Sequence, residues 1–420
     1  MFFVGFNLQQ VKATASFQAG AQVANTDWWP MFHHDPSHSG YSTSTAPRTN
    51  QTLWNYTTGG TVDSSPAVAN GVVYVGSDDG NVYALNATTG SKIWNCTTAP
   101  SEYGTEANSV SSSPAVANGV VYIGSKDDNV YALNATTGAR IWDYTTNGPV
   151  WSSPAVANNI VYVGSTDTNV SRTDVYALNA TTGKLAWNYT TGFAGVYSSP
   201  AVANGMVFVT ACDNRVYALN ATTGKLAWSY RTGAWVFSSP AVANGVVYTG
   251  SDDDNVYALN ATTGTLVWSY ATNGWVYSSL AVYGGVVYAG TLDFVLYALN
   301  VTTGASIWNY TAGSGLESSP AVANGMVFVG SDDGNVYALN ATTGKLVWNY
   351  ATGGAVVSSP AVANGVVYVG SQDGRVYAFD PSPRDVPEFS SYLILTVFTV
   401  TTLVAALVLN KKRKEHMIFG

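Results

Sequence analysis

The chain alternates short apolar runs with small polar turns, and it keeps the same beat over most of its length. Residues 318 to 350 show the pattern. "SSPAVA" is followed by "NG", then "MVFVGS", "DDGN", "VYALNA", "TTG" and "KLVWNY". Short runs rich in Val, Tyr, Phe and Trp, bounded by Gly, Asn and Asp, read as strands and not as helices. Asn324-Gly325 predicts a type I′ hairpin, because both residues tolerate the positive φ that this turn demands. Asp332 to Asn335 predicts the next tight turn. The unit is therefore four strands, here lettered A (SSPAVA), B (MVFVGS), C (VYALNA) and D (KLVWNY).

"SSPAVANG" or a near copy begins at Ser64, Ser112, Ser152, Ser198, Ser238, Ser278, Ser318 and Ser358, at spacings of 48, 40, 46, 40, 40, 40 and 40. A period of about forty residues with four strands per unit is that of a propeller blade. Small residues in strand A suit the crowded axis, and the large Trp of strand D suits the wide rim. One blade cannot bury both of its faces, but a ring of eight covers all of them.

A tryptophan ladder supports the count. Trp54, Trp94, Trp142, Trp187, Trp228, Trp268, Trp308 and Trp348 each fall in a strand D, yet the first precedes the first strand A and none follows the last strand C. The strand around Trp54 is thus predicted to complete the last blade, which removes open sheet edges. The expected fold is all-β: an eight-bladed β-propeller of four-stranded blades over residues 28–380, closed by an N-terminal strand, followed by a C-terminal transmembrane helix.

The ends carry the localisation signals. Residues 1–27 read as a truncated export signal and tail. "MFFVGFNLQQVKATA" ends in an Ala-x-Ala-like site, but its apolar part falls short of the roughly 7–15 residues expected. Residues 381–391 form a linker. Residues 392–409, "YLILTVFTVTTLVAALVL", are 18 positions without a charge, and 410–420 is a basic tail holding "KKRK". That length is near the lower limit for a spanning helix, and the positive cluster places the propeller outside the cell.

Charge and cysteine narrow the partners. Charged residues are 10% of the chain, against roughly 25% in ordinary globular proteins. The net charge is -8, and residues 1 to 410 hold 13 basic and 24 acidic residues, a net of -11. A body this acidic excludes nucleic acid as partner. Cys96 and Cys212 lie in different repeats and read as independent thiols.

The motif "YALNATTGKLVW" resembles the tryptophan-docking repeat of pyrroloquinoline-quinone (PQQ) type eight-bladed propellers, roughly Ala-x-Asp-x-x-Thr-Gly-Lys-x-x-Trp. Ala338, Thr343, Gly344, Lys345 and Trp348 match it, as do Ala218, Thr223, Gly224, Lys225 and Trp228. Asn340 or Asn220 stands where that family has Asp. "DWWPMFHHDPSHSGYS" (Asp27 to Ser42) is similar to the family's lead-in. The resemblance implies that each Trp docks against the next blade. Some members are quinoprotein dehydrogenases that hold PQQ and calcium with an adjacent Cys pair, a catalytic Asp and a metal-binding Glu, Asn and Asp. No Cys-Cys pair occurs here, and no catalytic residue of that family can be matched, so neither cofactor nor metal is expected. The same fold serves as a non-enzymatic scaffold in a bacterial outer-membrane assembly lipoprotein. Separately, "VPEFSS" with Pro387, Glu388 and Phe389 resembles the sorting signal of archaeal surface proteins. That resemblance implies removal of the helix by an archaeosortase and a replacement lipid anchor.

The remaining candidates lie where the repeats differ. Entering strand A stand Asp63, Ser111, Trp151, Tyr197, Phe237, Tyr277, Glu317 and Val357, with Trp235 and Trp275 close by. Chain direction puts these residues on one face, the top, around the channel mouth. Four consecutive blades give aromatics, with Asp63 and Glu317 expected opposite. Such an arc either binds surface proteins or polysaccharide, or plugs the channel. His33, His34, Asp35 and His38 in the lead-in are possible metal ligands but read more simply as packing. Paired Asp residues, as in Asp252-Asp253-Asp254, read as hairpin chemistry. Asn86, Asn134, Asn179, Asn220, Asn260, Asn300 and Asn340 each begin Asn-x-Thr at the C-to-D turn. They are glycan acceptors if exposed outside the cell, or else braces of the turn. The expectation is a monomeric, non-enzymatic, cell-surface propeller that binds or scaffolds. The alternatives are a PQQ-type oxidoreductase and a glycosylated structural coat.

Overall fold

The computed structural model describes residues 27–98, 108–166, 173–192 and 195–380. The expected anchor helix, the sorting motif Pro387-Glu388-Phe389 and the export segment before Asp27 lie outside them. Among the described residues no helix is long and apolar enough to cross a membrane.

Each repeat folds into a four-stranded antiparallel sheet, and there are eight sheets. Blades are numbered here from the repeat at Ser64 (blade 1) to that at Ser358 (blade 8). In blade 7 the strands are Ala321–Ala323, Met326–Gly330, Asn335–Asn340 and Leu346–Ala351. Asn324 and Gly325 both have positive φ, 50° and 72°, as the hairpin between A and B requires. Strands B and C are buried on both faces, since neighbouring blades cover each side. Strand D is buried mainly at its Trp.

Strand A is shorter than the sequence pattern predicts, because its two serines serve the ring. The second serine of each blade donates its backbone N–H to the hydroxyl of the second serine in the next blade. The series runs Ser65, Ser113, Ser153, Ser199, Ser239, Ser279, Ser319 and Ser359, then back to Ser65, at 2.9–3.0 Å. The first serine ties its own blade to the next, as Ser318 Oγ does in accepting from Gly330 N–H and donating to Ser358 O, each at 3.0 Å. A buried backbone N–H without a partner is costly. The closed serine ring supplies one at each blade without bulk at the axis.

The tryptophans perform the predicted docking. Trp308 lies on Gly344 of the next blade, where an added Cβ would fall 2.6 Å from the ring. Its indole N–H donates to Ala341 O at 3.0 Å. Gly344 also has φ 68°, so glycine is required twice over. Seven of the eight ladder members, Trp308 included, share this geometry. Trp54 belongs to Thr52–Thr57, which pairs with Arg375–Phe379 and completes blade 8, then docks on Ala87 O of blade 1 at 2.9 Å. At the seam, blade 8 has no continuous C-to-D turn. Trp348 donates instead to Pro47 O at 3.0 Å. Pro47 replaces the missing turn.

The lead-in does more than pack on one blade. It runs around the bottom rim in blade order, and its carbonyls accept the N–H of the central valine of six A strands. Trp29, Pro30, Pro36, Ser37, Ser39 and Gly40 serve Val68, Val116, Val202, Val242, Val282 and Val322. Met31 packs in the cluster that holds Val156 of blade 3, Tyr41–Ser42 pairs in parallel with Ala321–Ala323, and Ser44 Oγ accepts from Gly365 N–H of blade 8. The inner edges of the sheets are thereby satisfied and the bottom of the channel is covered.

Candidate binding face

The B-to-C turns and D-to-A loops meet at the top. The residues entering strand A and those of the B-to-C turns converge there. The first residue of each B-to-C turn donates its N–H to the D-to-A loop before it: Asp78 to Thr61 O, Lys126 to Ser109 O, Asp252 to Trp235 O, Leu292 to Trp275 O and Asp332 to Gly315 O. The Asp residues among them read in sequence as hairpin chemistry, and Lys126 and Leu292 are not singled out there. The second Asp of the turn is indeed structural: Asp253 accepts from Asn255 N–H, Gly233 N–H and the Tyr257 hydroxyl. The first varies as Asp, Lys, Thr, Cys, Asp, Leu, Asp and Gln from blade 1 to blade 8. That variation at a fixed position was the available signal.

The predicted aromatic arc is continuous. Ring centroids lie 6.0 Å apart for Trp151–Tyr197, 5.4 Å for Tyr197–Phe237 and 4.7 Å for Phe237–Tyr277. Trp235 and Trp275 stand edge-on to Phe237 and Tyr277, each at 6.1 Å. The rings differ in exposure. Trp151, Tyr197, Trp235 and Trp275 are 39, 37, 52 and 50% exposed, whereas Phe237 and Tyr277 are half-buried at the mouth. Phe237, Tyr277 and Glu317 line a depression of about 410 Å³. Glu317 therefore adjoins the arc and does not face it from the far side, because blade 7 follows blade 6 around the ring. Asp63, on blade 1, accepts from Gln372 Nε2 at 3.1 Å.

The mouth crowds carboxyl groups. Burial, then Asp332 and Asp63, push the Glu317 carboxyl up. Burial and Asp78 push Asp63 up, against the pull of Gln372 and Lys126. Asp252 is pushed up to about 6 by burial and by Asp253 and Asp254. Among the described residues one cation enters the arc: Lys126 Nζ lies 3.9 Å from the Trp151 ring centroid.

The lead-in histidines sit on the opposite face and do not form a metal centre. His33 and His38 are fully buried, and burial holds them neutral, down at about 3 and about 4. His38 Nδ1 donates to Pro240 O at 3.0 Å. His34 bridges Asp27 and Asp35. Among the described residues no three His, Cys, Asp or Glu side chains gather as metal ligands. Cys96 and Cys212 are separate free thiols. This donor set does not fit the calcium and paired-cysteine quinone site that the resemblance implies.

At the C-to-D turns each sequon Asn uses Oδ1 as a brace. Asn340 Oδ1 accepts from Thr342 N–H at 3.0 Å and Thr343 N–H at 2.9 Å. Asn86, Asn134, Asn179, Asn220, Asn260 and Asn300 do the same. Among the described residues nothing accepts a hydrogen bond from the amide nitrogen, so bracing and glycan acceptance are compatible.

Comparison with known proteins agrees with this architecture. Residues 36–284 match the family model described as beta-alanine-activating enzyme, beta-propeller, and the chain belongs to that propeller family. Residues 293–385 match the model for outer membrane protein assembly factor BamB. No curated protein sequence matches significantly. Similar solved structures include a europium-containing methanol dehydrogenase (15% identity, TM-score 0.72, covering 84% of this chain and 98% of that one). BamB from Moraxella catarrhalis is also similar (21% identity, TM-score 0.67, covering 79% and 99%). A third is the computationally designed Ika8 protein (19% identity, TM-score 0.68, covering 80% and 99%). An enzyme, an assembly factor and a design share this fold, so the likeness establishes architecture and not activity.

Proposed function

We propose that the protein is a non-catalytic binding or scaffolding module, displayed on the cell surface, that engages a protein or glycan partner through its top face. The observation that supports this most is the continuous aromatic arc. Its loops are short and its repeats are otherwise uniform, yet four large rings are exposed side by side. Exposed contiguous aromatics beside acids are the composition of an interaction site. The uncharged segment 392–409 and the basic tail after it support display from a membrane, directly or after exchange for a lipid anchor. The sequons on the bottom, where the chain leaves strand C of blade 8, would share the membrane-facing side with the tether.

The test is a crosslinking capture from native cell surface with two baits. One is the full chain. The other carries Trp151→Ala, Tyr197→Ala, Trp235→Ala, Phe237→Ala, Trp275→Ala and Tyr277→Ala, with folding verified by its thermal melt. Selective capture by the unsubstituted bait is expected. Equal capture by two folded baits would overturn the top-face assignment and favour a structural coat.

A further inference from the structure

The two ends of the aromatic arc differ in one respect. At the blade 3 end, Trp151 already has a cation: Lys126, the first residue of the blade 2 turn, lies over its ring. Asp252 occupies the equivalent position in the blade 5 turn. It sits in a cleft of about 360 Å³ lined by Asn214, Gly233, Ala234, Trp235, Asp252, Trp275 and Tyr277. Two half-exposed indoles and a phenol wall the cleft, and the only charge in its lining is that of Asp252. Among the described residues no hydrogen bond or ion pair reaches the Asp252 carboxylate, and its Oδ1 is buried without a partner, as are Asn214 Oδ1 in the lining and Asp254 Oδ1 in the same turn. Unpartnered acceptor oxygens thus gather at and beside this turn. Arg231, the nearest residue of opposite sign along the chain, ends the outer strand of blade 4, and Arg215 is directed to Ser229 on that same strand.

A carboxylate in a cleft lined by two indoles, with no ion-pair partner among the described residues, attracts an external cation. Indole is the best cation–π partner, and the attraction rises as the cation is desolvated. Unpaired buried acceptors carry a penalty that an incoming N–H donor removes. A sugar would use the indole faces but would leave the carboxylate charge unbalanced. We propose that the Trp235–Asp252–Trp275 cleft binds the cationic end of a lysine or arginine side chain on a partner protein. This rests on the top face being the binding surface and names the chemistry it selects. The volume, near the lower end of the usual 300–1,000 Å³ for ligand sites, suits one such side chain and not a folded domain.

Three capped tetrapeptides test it against the full chain: Ac-Gly-Lys-Gly-Gly-NH2, its arginine analogue, and its norleucine analogue, which keeps the stem without the charge. Binding is read by titration of the Trp235 and Trp275 indole N–H resonances, assigned with Trp235→Phe and Trp275→Phe. The lysine and arginine peptides should bind about tenfold or more tighter than norleucine, corresponding to about 1.4 kcal/mol. Asp252→Asn should abolish that preference. Asp252→Lys should fill the cleft from within, as Lys126 does at Trp151, and block all three peptides. Equal binding of norleucine, an unchanged preference in Asp252→Asn, or no indole response to any peptide would each overturn the inference. If the six-alanine bait loses its partner while Asp252→Asn keeps it, the top-face assignment survives and the cation inference alone fails.

Discussion

Replacing Trp228 by phenylalanine should cost more than replacing Trp187, although the two indoles occupy equivalent places. The reason lies in the carbonyl each one serves. Trp187 Nε1 donates to Ala221 O at 2.9 Å, and the same oxygen accepts from the Tyr162 hydroxyl at 3.1 Å. Trp228 Nε1 donates to Ala261 O at 3.0 Å, but blade 4 has Phe208 where blade 3 has Tyr162, so no phenol supports it. Both changes shorten the ring alike, and that loss cancels in the comparison. Trp187→Phe removes one of two donors, worth about 0.5–1.5 kcal/mol. Trp228→Phe leaves a buried acceptor without a side-chain donor, at about 1–3 kcal/mol. The expected difference is roughly 1 kcal/mol, or about 1–2 °C in Tm for a domain of this size. Urea and thermal melts of the two variants measure it. Phe208→Tyr restores the second donor, and in that background the cost of Trp228→Phe should fall to that of Trp187→Phe. If Trp187→Phe costs as much as Trp228→Phe, or Phe208→Tyr brings no rescue, the docking hydrogen bond is not what the indole contributes.

Asn340→Asp should keep the turn braced while removing a glycan acceptor. Its melt should stay within about 0.5 kcal/mol of the parent, whereas Asn340→Ala should lose about 1 kcal/mol, and loss of mass in the Asp variant from the native host would show that the site is used. His33 and His38 are held neutral by burial, with folded values depressed to about 3 and about 4. Their contribution is complete above the unfolded value near 6.5 and is lost as pH falls toward those depressed values. His34 acts in the opposite sense: burial opposes its charge, but Asp35 and Asp27 outweigh burial and raise it. Melts should therefore weaken from pH 7 to pH 4. His33→Asn with His38→Asn, both at positive φ that Asn accepts, should flatten the profile; an unchanged slope would refute this origin. Lysine-peptide binding should weaken as pH falls through about 6, where the Asp252 carboxylate becomes neutral. Asp253 and Asp254 face it from its own turn, and Cys212 and Tyr277, both raised to about 12, face it from neighbouring elements and do not titrate in that range. A flat affinity between pH 5 and 7 would remove Asp252 from the site.

Much of this molecule could be read without coordinates, and the reason is locality. A strand, its I′ turn and the Asn-Ala-Thr-Thr-Gly brace are each specified by residues within a few positions, and eight copies average out any single ambiguity. The register of Ala338 opposite Trp348 follows from the length of the turn between them. Even the N-terminal closure was countable, because the tryptophans and the A strands fell out of step by one.

What the sequence determined by itself was therefore the blade, the number of blades, the docking residues and the face on which variation collects. What only the tertiary structure decided was how backbone groups and far-separated turns meet. The lead-in circles the channel because inner-edge valines expose N–H groups, and every residue type but proline carries the same group, so no side-chain pattern announces the partner. Pro47 takes the place of a turn only because the ring brings it to Trp348, 301 positions away. The serine ring, likewise, is visible as a repeat but not as a closed circle. Glu317 joins the aromatics, and Asp252 stands between two tryptophans, because the ring sets turns and loops of successive blades side by side. A linear sequence records each of those residues but not their convergence.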